Sequence, residues 1–330
     1  MNFSLKVGVK GSVMSKIHYS IKSIIDSNIP FEIGRFKQHS PIDIYLKYYG
    51  LEIGAIDYRY GFVNCCEEKI FIQSFKPTNP RAIVLVLHGY FDHTGSMSNL
   101  INFLIKNNYH VISYDLQGHG LSSGKRAFIE NFGQYGDVFM EVCETYIKPY
   151  TTLPKYLIAH STGAAISVEY LLRSSSIFHH VILLAPLIRS YAWNLSKIGL
   201  SIMYPFVKEL QRVFKVNSSN SEYLRFVKSD PLQHNKISVK WIKALSAWNE
   251  KIINYPKLED SLLVIQGDRD KTVDWKYNLN FIRHKFPKSQ IRIIKHGNHQ
   301  LINESNRLVV SVLDCILEQF QQIDHAQSWD

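Results

Sequence analysis

From residue 81 onward the chain alternates short, unbroken apolar runs with stretches whose apolar residues recur every three to four positions. Unbroken Val/Ile/Leu runs fit strands buried on both faces, and the longer period fits helices packed on one face. The runs fall at residues 82–87, 110–115, 156–160, 180–184, 261–266 and 290–295. Strands separated by helical patterns predict an α/β fold, a mostly parallel twisted sheet with flanking crossover helices. Upstream, residues 56–64 and 68–75 alternate more strictly and predict a leading antiparallel pair. The last helical stripe, over 307–320, places Leu308, Val312, Ile316 and Phe320 on one face.

Two segments break this rhythm, and they divide the chain. Residues 1–55 form an N-terminal extension in which Met14, Ile17, Ile21, Ile24 and Ile25 line one face of a short helix, expected to pack on the main body. Residues 187–240 lack the strand rhythm for more than fifty positions and read as a cap inserted into a core of 56–186 and 241–330. An insertion after a strand end lies over the side where α/β enzymes bind ligands. It carries a helical stripe of Ile198, Ile202, Phe206, Leu210 and Val213, followed by the polar loop NSSNSEY.

Charge sharpens this division. The chain of 330 residues carries a net +10. Residues 1–50 hold seven Lys/Arg against three Asp/Glu, residues 187–240 nine against three, and the remainder is balanced. Such a surface is either merely solvated or attracts an anionic lipid surface or substrate; no recognised nucleic-acid module accompanies it, so nucleic acid is not expected as a partner. The apolar window 198–207 is far below the roughly 20 residues a membrane-spanning helix needs. No signal-peptide core opens the chain. Four cysteines, two of them adjacent, make no disulfide framework or zinc pattern. A reduced, cytoplasmic protein, soluble or peripheral to a membrane, with no metal or organic cofactor, is the expectation; the oligomeric state is left open.

The chemistry concentrates in Ala-His-Ser-Thr-Gly at 159–163, directly after one buried run and at the start of a helical one. A serine hydroxyl is a weak nucleophile unless exposed beside a base, and a sharp strand-to-helix elbow exposes it. The strain of that turn demands small residues two positions either side; Gly163 meets the demand and Ala159 stands where glycine is usual. On such an elbow the partners follow in the order acid, then histidine. LLVIQGDRDKTVD offers Asp268, Asp270 and Asp274; Asp270 is the preferred acid, Asp268 the runner-up, and Asp274 the N-cap of the next helix. KHGNHQLINE offers His296 and His299, and His299, just before the last helix, is the preferred base. An oxyanion requires backbone N–H donors. The amide of Thr162 supplies one, and the amide of Tyr90, in the HGYFDH loop after the first long run, supplies the other. His88 is expected to brace that loop.

Taken together, HGYFDHTG, YDLQGHGLSSGKR, YLIAHSTGAA, SDPLQHNKIS, QGDRDKTVD and HGNHQLINE, in that order, resemble the monoacylglycerol lipase and bacterial lysophospholipase branch of the α/β hydrolases. The resemblance runs from about residue 56 to 322 and implies an α/β-hydrolase fold with Ser161, Asp270 and His299 as triad, and Tyr90 and Thr162 at the oxyanion. It also implies that Asp115 and the Gly118–Gly120 turn are structural. The implied activity is hydrolysis of a lysophospholipid or monoacylglycerol through an acyl-enzyme. Among other readings, the glycines of GHGLSSG do not make a dinucleotide loop, because this is not the first strand and position six is Ser123. A prolyl-type aminopeptidase should carry acidic groups in its cap, whereas this cap is basic. A non-enzymatic scaffold usually lacks a triad member; an acyltransferase would use the same triad with an alcohol in place of water.

Overall fold

The computed structural model describes residues 10–193 and 207–326. Two helices come first, α1 (Lys10–Ser27) and α2 (Pro41–Tyr49). An antiparallel pair follows, β1 (Asp57–Cys65) and β2 (Glu68–Lys76), joined at Cys65 and Glu68. The alternating part then runs β3 (Ile83–Leu87), α3 (Ser98–Lys106), β4 (His110–Tyr114), α4 (Gly133–Val142), β5 (Lys155–His160), α5 (Thr162–Arg173) and β6 (His180–Leu184). After it come β7 (Glu209–Gln211), α6 (Ser221–Ser229), β8 (Lys236–Ser238) and α7 (Val239–Ile252). The chain ends with β9 (Leu262–Gly267), α8 (Trp275–Lys285), β10 (Gln290–Ile294) and α9 (Asn306–Ala326).

Eight strands form one sheet in the order β1-β2-β4-β3-β5-β6-β9-β10, parallel from β4 to β10. Because side chains alternate across a strand, each buried run feeds two cores. Ile83, Leu85 and Leu87 point toward α4, α5, α7 and α8, where Phe139, Val168, Trp248 and Ile282 meet them. Val84 and Val86 point the other way, onto Leu100 and Ile101 of α3 and Ile316 and Phe320 of α9. That two-sided burial explains why these strands lack a polar face. β10 is the exception: as the sheet edge it leaves Ile293 47% exposed, so its apolar run is not buried on both faces.

The extension packs as expected, with one difference. Ile17 and Ile24 of α1 and Tyr45 of α2 join the α3/α9 core, but Ile25 faces solvent, and α1 is eighteen residues long. Pro41 at the helix start and Gly50 in a left-handed C-cap fix the ends of α2. Of the expected cap stripe, Ile198, Ile202 and Phe206 lie outside the described residues. The rest of it is not helical: Leu210 sits in β7, which pairs antiparallel with β8, and Val213 is exposed. The NSSNSEY stretch is also not all loop, since Asn220 accepts from the amides of Glu222 and Tyr223 and so starts α6.

The strand order reverses between β3 and β5, because the chain places β4 on one side of β3 and β5 on the other. Ligand crevices form at such a reversal, outside the carboxyl ends of the strands. The loop from His88 leaves β3 there, and Ser161 leaves β5 beside it.

Candidate active site

Ser161 sits between β5 and α5 with φ 52° and ψ −110°, a left-handed conformation for a residue with a side chain. Such strain persists only where the surroundings hold it. Here the Ser161 amide donates to the Leu184 carbonyl at 2.9 Å, and the Ser161 carbonyl accepts from Ala165 and Leu187. Tight packing explains the small residue at 163: a Cβ there would lie 2.7 Å from the His88 carbonyl oxygen and 2.8 Å from Leu87 Cβ.

Three distant side chains converge at this elbow. His299 Nε2 lies 3.0 Å from Ser161 Oγ, and His299 Nδ1 lies 2.8 Å from Asp270 Oδ2. All three residues are buried. Asp270 leaves the end of β9 on a turn, where its other oxygen accepts from the amides of Thr272 (2.7 Å) and Val273 (3.1 Å). Burial alone would raise the Asp270 carboxyl; the imidazole of His299 and the two amides outweigh it and hold the group below its ordinary value. An ionised carboxylate accepting from Nδ1–H leaves Nε2 bare to take the serine proton.

The neighbouring candidates have other duties. Asp268 accepts from the His296 amide at 2.6 Å, and His296 is exposed in the turn after β10. Asp274 accepts from the Tyr277 amide and caps α8. His88 is fully buried; it donates from Nδ1 to the Gly89 carbonyl (2.8 Å) and accepts at Nε2 from the Leu116 amide (2.8 Å). It braces the loop, with burial lowering its pKa. Asp115 accepts from the Thr94 and Leu121 amides, tying this loop to the Gly118–Gly120 turn.

That loop passes directly over the serine: a Cβ at Gly89 would lie 3.0 Å from Ser161 Cβ. Among the described residues, neither the Tyr90 nor the Thr162 amide donates to a loop or turn carbonyl. Thr162 opens α5, where a first-turn amide has no helical acceptor. Tyr90 is pinned at its far end by donation to the Ala127 carbonyl (2.7 Å) and by stacking on Trp241.

Several polar residues around the site carry no motif of their own. Gln266 donates to Asp270 at 3.1 Å. His160 donates from Nε2 to the His299 carbonyl at 3.1 Å, and Gln300 donates to the buried Asp92 at 3.0 Å. His93 and Asp230 pair at 2.8 Å with no exposure, and Tyr49 of α2 donates to the same carboxylate at 2.7 Å. Position immediately beside a motif residue marks Asp92, His93, His160 and Gln300; nothing local marks Gln266, Asp230 or Tyr49. Among the described residues no cluster of His, Cys, Asp and Glu is placed to hold a metal ion.

A parallel sheet with its polar residues at the strand reversal defines a serine hydrolase of the α/β-hydrolase fold. Comparison with known proteins agrees. The chain belongs to the serine aminopeptidase S33 hydrolase family, whose model matches residues 78–306. It is 26% identical over 257 residues to a monoglyceride lipase homolog of monkeypox virus, covering 76% of this chain and 93% of that one. It is 29% identical to the monoglyceride lipase of Rattus norvegicus, covering 65% and 74%. Among solved structures, a soluble variant of the Saccharomyces cerevisiae monoglyceride lipase superposes with a TM-score of 0.70 at 18% identity, covering 83% and 97%.

Proposed function

We propose that the chain hydrolyses carboxylic esters of acylglycerol-type lipids through an acyl-enzyme on Ser161. The observation that carries this is the continuous hydrogen-bond chain from Asp270 through His299 to Ser161 Oγ. In this reading Ser161 attacks the ester carbonyl, His299 takes its proton and returns it to the leaving alcohol, and Asp270 holds the imidazole tautomer. The amides of Tyr90 and Thr162 receive the oxyanion. Water, activated by the same histidine, then releases the acyl group. In this reading the expected cap, of which residues 187–193 and 207–240 are described, covers the acyl chain. Lipid esters are favoured by the monoglyceride lipase relatives and by a bacterial phospholipase relative. The family's aminopeptidase chemistry would need a carboxylate facing the substrate ammonium. Among the described residues of the cap, Glu209 pairs with Lys236 and Asp230 is buried against His93, which leaves Glu222 at the outer start of α6.

A fluorophosphonate probe should label the folded protein at Ser161 and leave Ser161→Ala unlabelled. An ester panel spanning chain length should then show turnover of monoacylglycerols or lysolipids; peptide turnover without ester turnover would reverse the assignment. Added glycerol as acceptor separates hydrolysis from acyl transfer. The basic surface also supports peripheral contact with an anionic membrane, which cosedimentation with anionic vesicles would register as binding that weakens with salt.

A further inference from the structure

A cleft of about 460 Å³ is lined by Lys125, Lys208, Lys236 and Glu209, with Leu210 and Gln211. Two half-buried arginines extend it: His234, next to Lys236, faces both Arg126 and Arg212. Five cations thus converge from two parts of the chain, the loop at 125–126 and the β7–β8 hairpin. Their counter-charge is scarce. Glu209, the carboxylate lining the cleft, is held by Lys236 at 3.0 Å. Among the described residues, none of Lys125, Arg126, Lys208 and Arg212 has a carboxylate within ion-pair distance. Asp92 and Asp230 face Arg212 and Asp115 faces Arg126, but each already accepts elsewhere. Asp92 accepts from Gln300, Asp230 from His93 and Tyr49, and Asp115 from the Thr94 and Leu121 amides.

A basic surface that is only solvated would leave its arginines in water. Arg212 is instead clamped between the rings of Phe91 (4.0 Å) and Phe214 (4.5 Å), and one nitrogen of its fork donates to Gln233 (2.6 Å) and the His234 carbonyl (3.1 Å). Its geometry is therefore fixed while, among the described residues, the rest of the fork has no hydrogen-bond partner, the arrangement that suits a planar contact to phosphate. Phe91 follows Tyr90, so this arginine stands next to the loop that covers Ser161. The Tyr90 side chain ends on Ala127, two positions from Lys125. The cleft and the serine are thereby joined through Tyr90 and Phe91.

We propose that this cationic cleft, continued toward Ser161 by Arg212, is the head-group subsite and takes the phosphate of a lysophospholipid. The inference rests on the acylglycerol-ester reading above and names which substrates of that class the site prefers. In such a lipid one glycerol unit separates ester from phosphate, and residues 89–91 run from the loop over Ser161 to the ring under Arg212. The phosphate could also belong to a bilayer, which would concentrate the enzyme at a surface without touching the substrate's own head group.

The experiment compares kcat/KM for a lysophosphatidic acid and a monoacylglycerol of the same acyl chain, both short enough to stay monomeric. Full-length wild type is set against R212Q and against K125Q/K208Q, whose exposed positions spare the fold if R212Q melts early. The phosphate-to-neutral ratio should fall about tenfold in R212Q, as expected for one lost charge-assisted hydrogen bond, and at least as much in K125Q/K208Q, which removes two cations, in both cases chiefly through KM. In wild type the same ratio should fall as salt rises, since salt screens only the charged substrate. An unchanged ratio with both substrates turned over ends the subsite alone. Turnover of neither ends the proposed function and the subsite with it. Variants that lose binding to anionic vesicles but keep the monomer ratio assign the cations to the membrane and overturn the proposal.

Discussion

Replacing Asp270 by Asn tests the catalytic geometry with little change of shape. The Asn carbonyl can still accept from the Thr272 and Val273 amides, so the turn after β9 keeps its anchors. The new amide nitrogen takes the place of Oδ2, which now accepts from His299 Nδ1 and Gln266 Nε2. Two donors would then face a third. Gln266 can relieve its part by turning its amide, because its Oε1 is buried and has no partner. It would give up its 3.0 Å bond to the Gly267 carbonyl, so the stability loss should stay near 1–2 kcal/mol. His299 has no such freedom. To keep a bond at Nδ1 it must accept there, which puts its proton on Nε2, 3.0 Å from Ser161 Oγ. A protonated Nε2 cannot take the serine proton. The expected loss in kcat is about 10⁴-fold, equivalent to about 5.5 kcal/mol, with KM nearly unchanged. The assay is steady-state turnover of a short soluble ester, with urea unfolding as the control for the fold. Asp268→Asn should keep most activity, because Asp268 bonds only the exposed turn at His296. An Asp270→Asn enzyme within tenfold of wild type, or an Asp268→Asn enzyme as impaired, would refute the tautomer argument.

Other perturbations probe separate links. His299→Ala should abolish ester turnover while His296→Ala retains most of it, read by the same assay. Gly163→Ala places a methyl 2.7 Å from the His88 carbonyl oxygen; overpacking against backbone should destabilise by about 1–3 kcal/mol and slow turnover, seen together in melting and kinetics. Acid should weaken the fold in two stages. Burial drives the pKa of both His110 and His119 down to about 3, so each is neutral when folded and gains a proton on unfolding; stability should fall as pH drops below about 6.5. Burial would raise Asp92, but His160 and Gln300 outweigh it and hold it at about 2, so its contribution is present above about pH 4 and is lost as pH falls toward 2. Urea unfolding between pH 7 and 2 checks both, and a flat profile would contradict them.

The sheet was legible because its strands are buried on both faces: residues 180–184 were placed to the residue, and the other runs differ from the observed strands by about a residue at either end. The chain order of Ser161, Asp270 and His299 was legible because each follows a strand end with a turn residue nearby. What escaped had no periodicity to show. α2 has Ser40 before it, Pro41 as its first residue and Gly50 after it, and these capping signals identify it better than its short apolar stripe does. β7 and β8 are three residues each, too short for an alternation to register. The pairing of His93 with Asp230 spans 137 positions, and no local pattern relates the two. Arg212 reads in sequence as one more cation on a basic segment; its fixed place depends on two rings, one of them from the HGYFDH loop.

The same contrast separates the chemistry from the selectivity. Ser161, Asp270 and His299 each leave a strand of one sheet or the turn just beyond it, so their spacing is set by a core that tolerates little displacement. The groups that would choose a substrate come from residues 207–240, and contacts here and at Trp241 tie them to that core, with Ser218 donating to the Asn303 carbonyl and Ser219 to Glu304 among them. Arg212 clasps Phe91, Trp241 stacks on Tyr90, and Asp230 joins His93 with help from Tyr49. Removing one partner of the buried His93–Asp230 pair leaves a charge or an imidazole unmatched, a loss of about 3–5 kcal/mol. The Asp230 carboxylate meets the turn that directly follows the proposed oxyanion loop, so damage there should reach both substrate choice and turnover. Changes at the exposed lysines 125 and 208 strand no buried partner, and they should alter which head group is accepted while the elbow keeps its geometry.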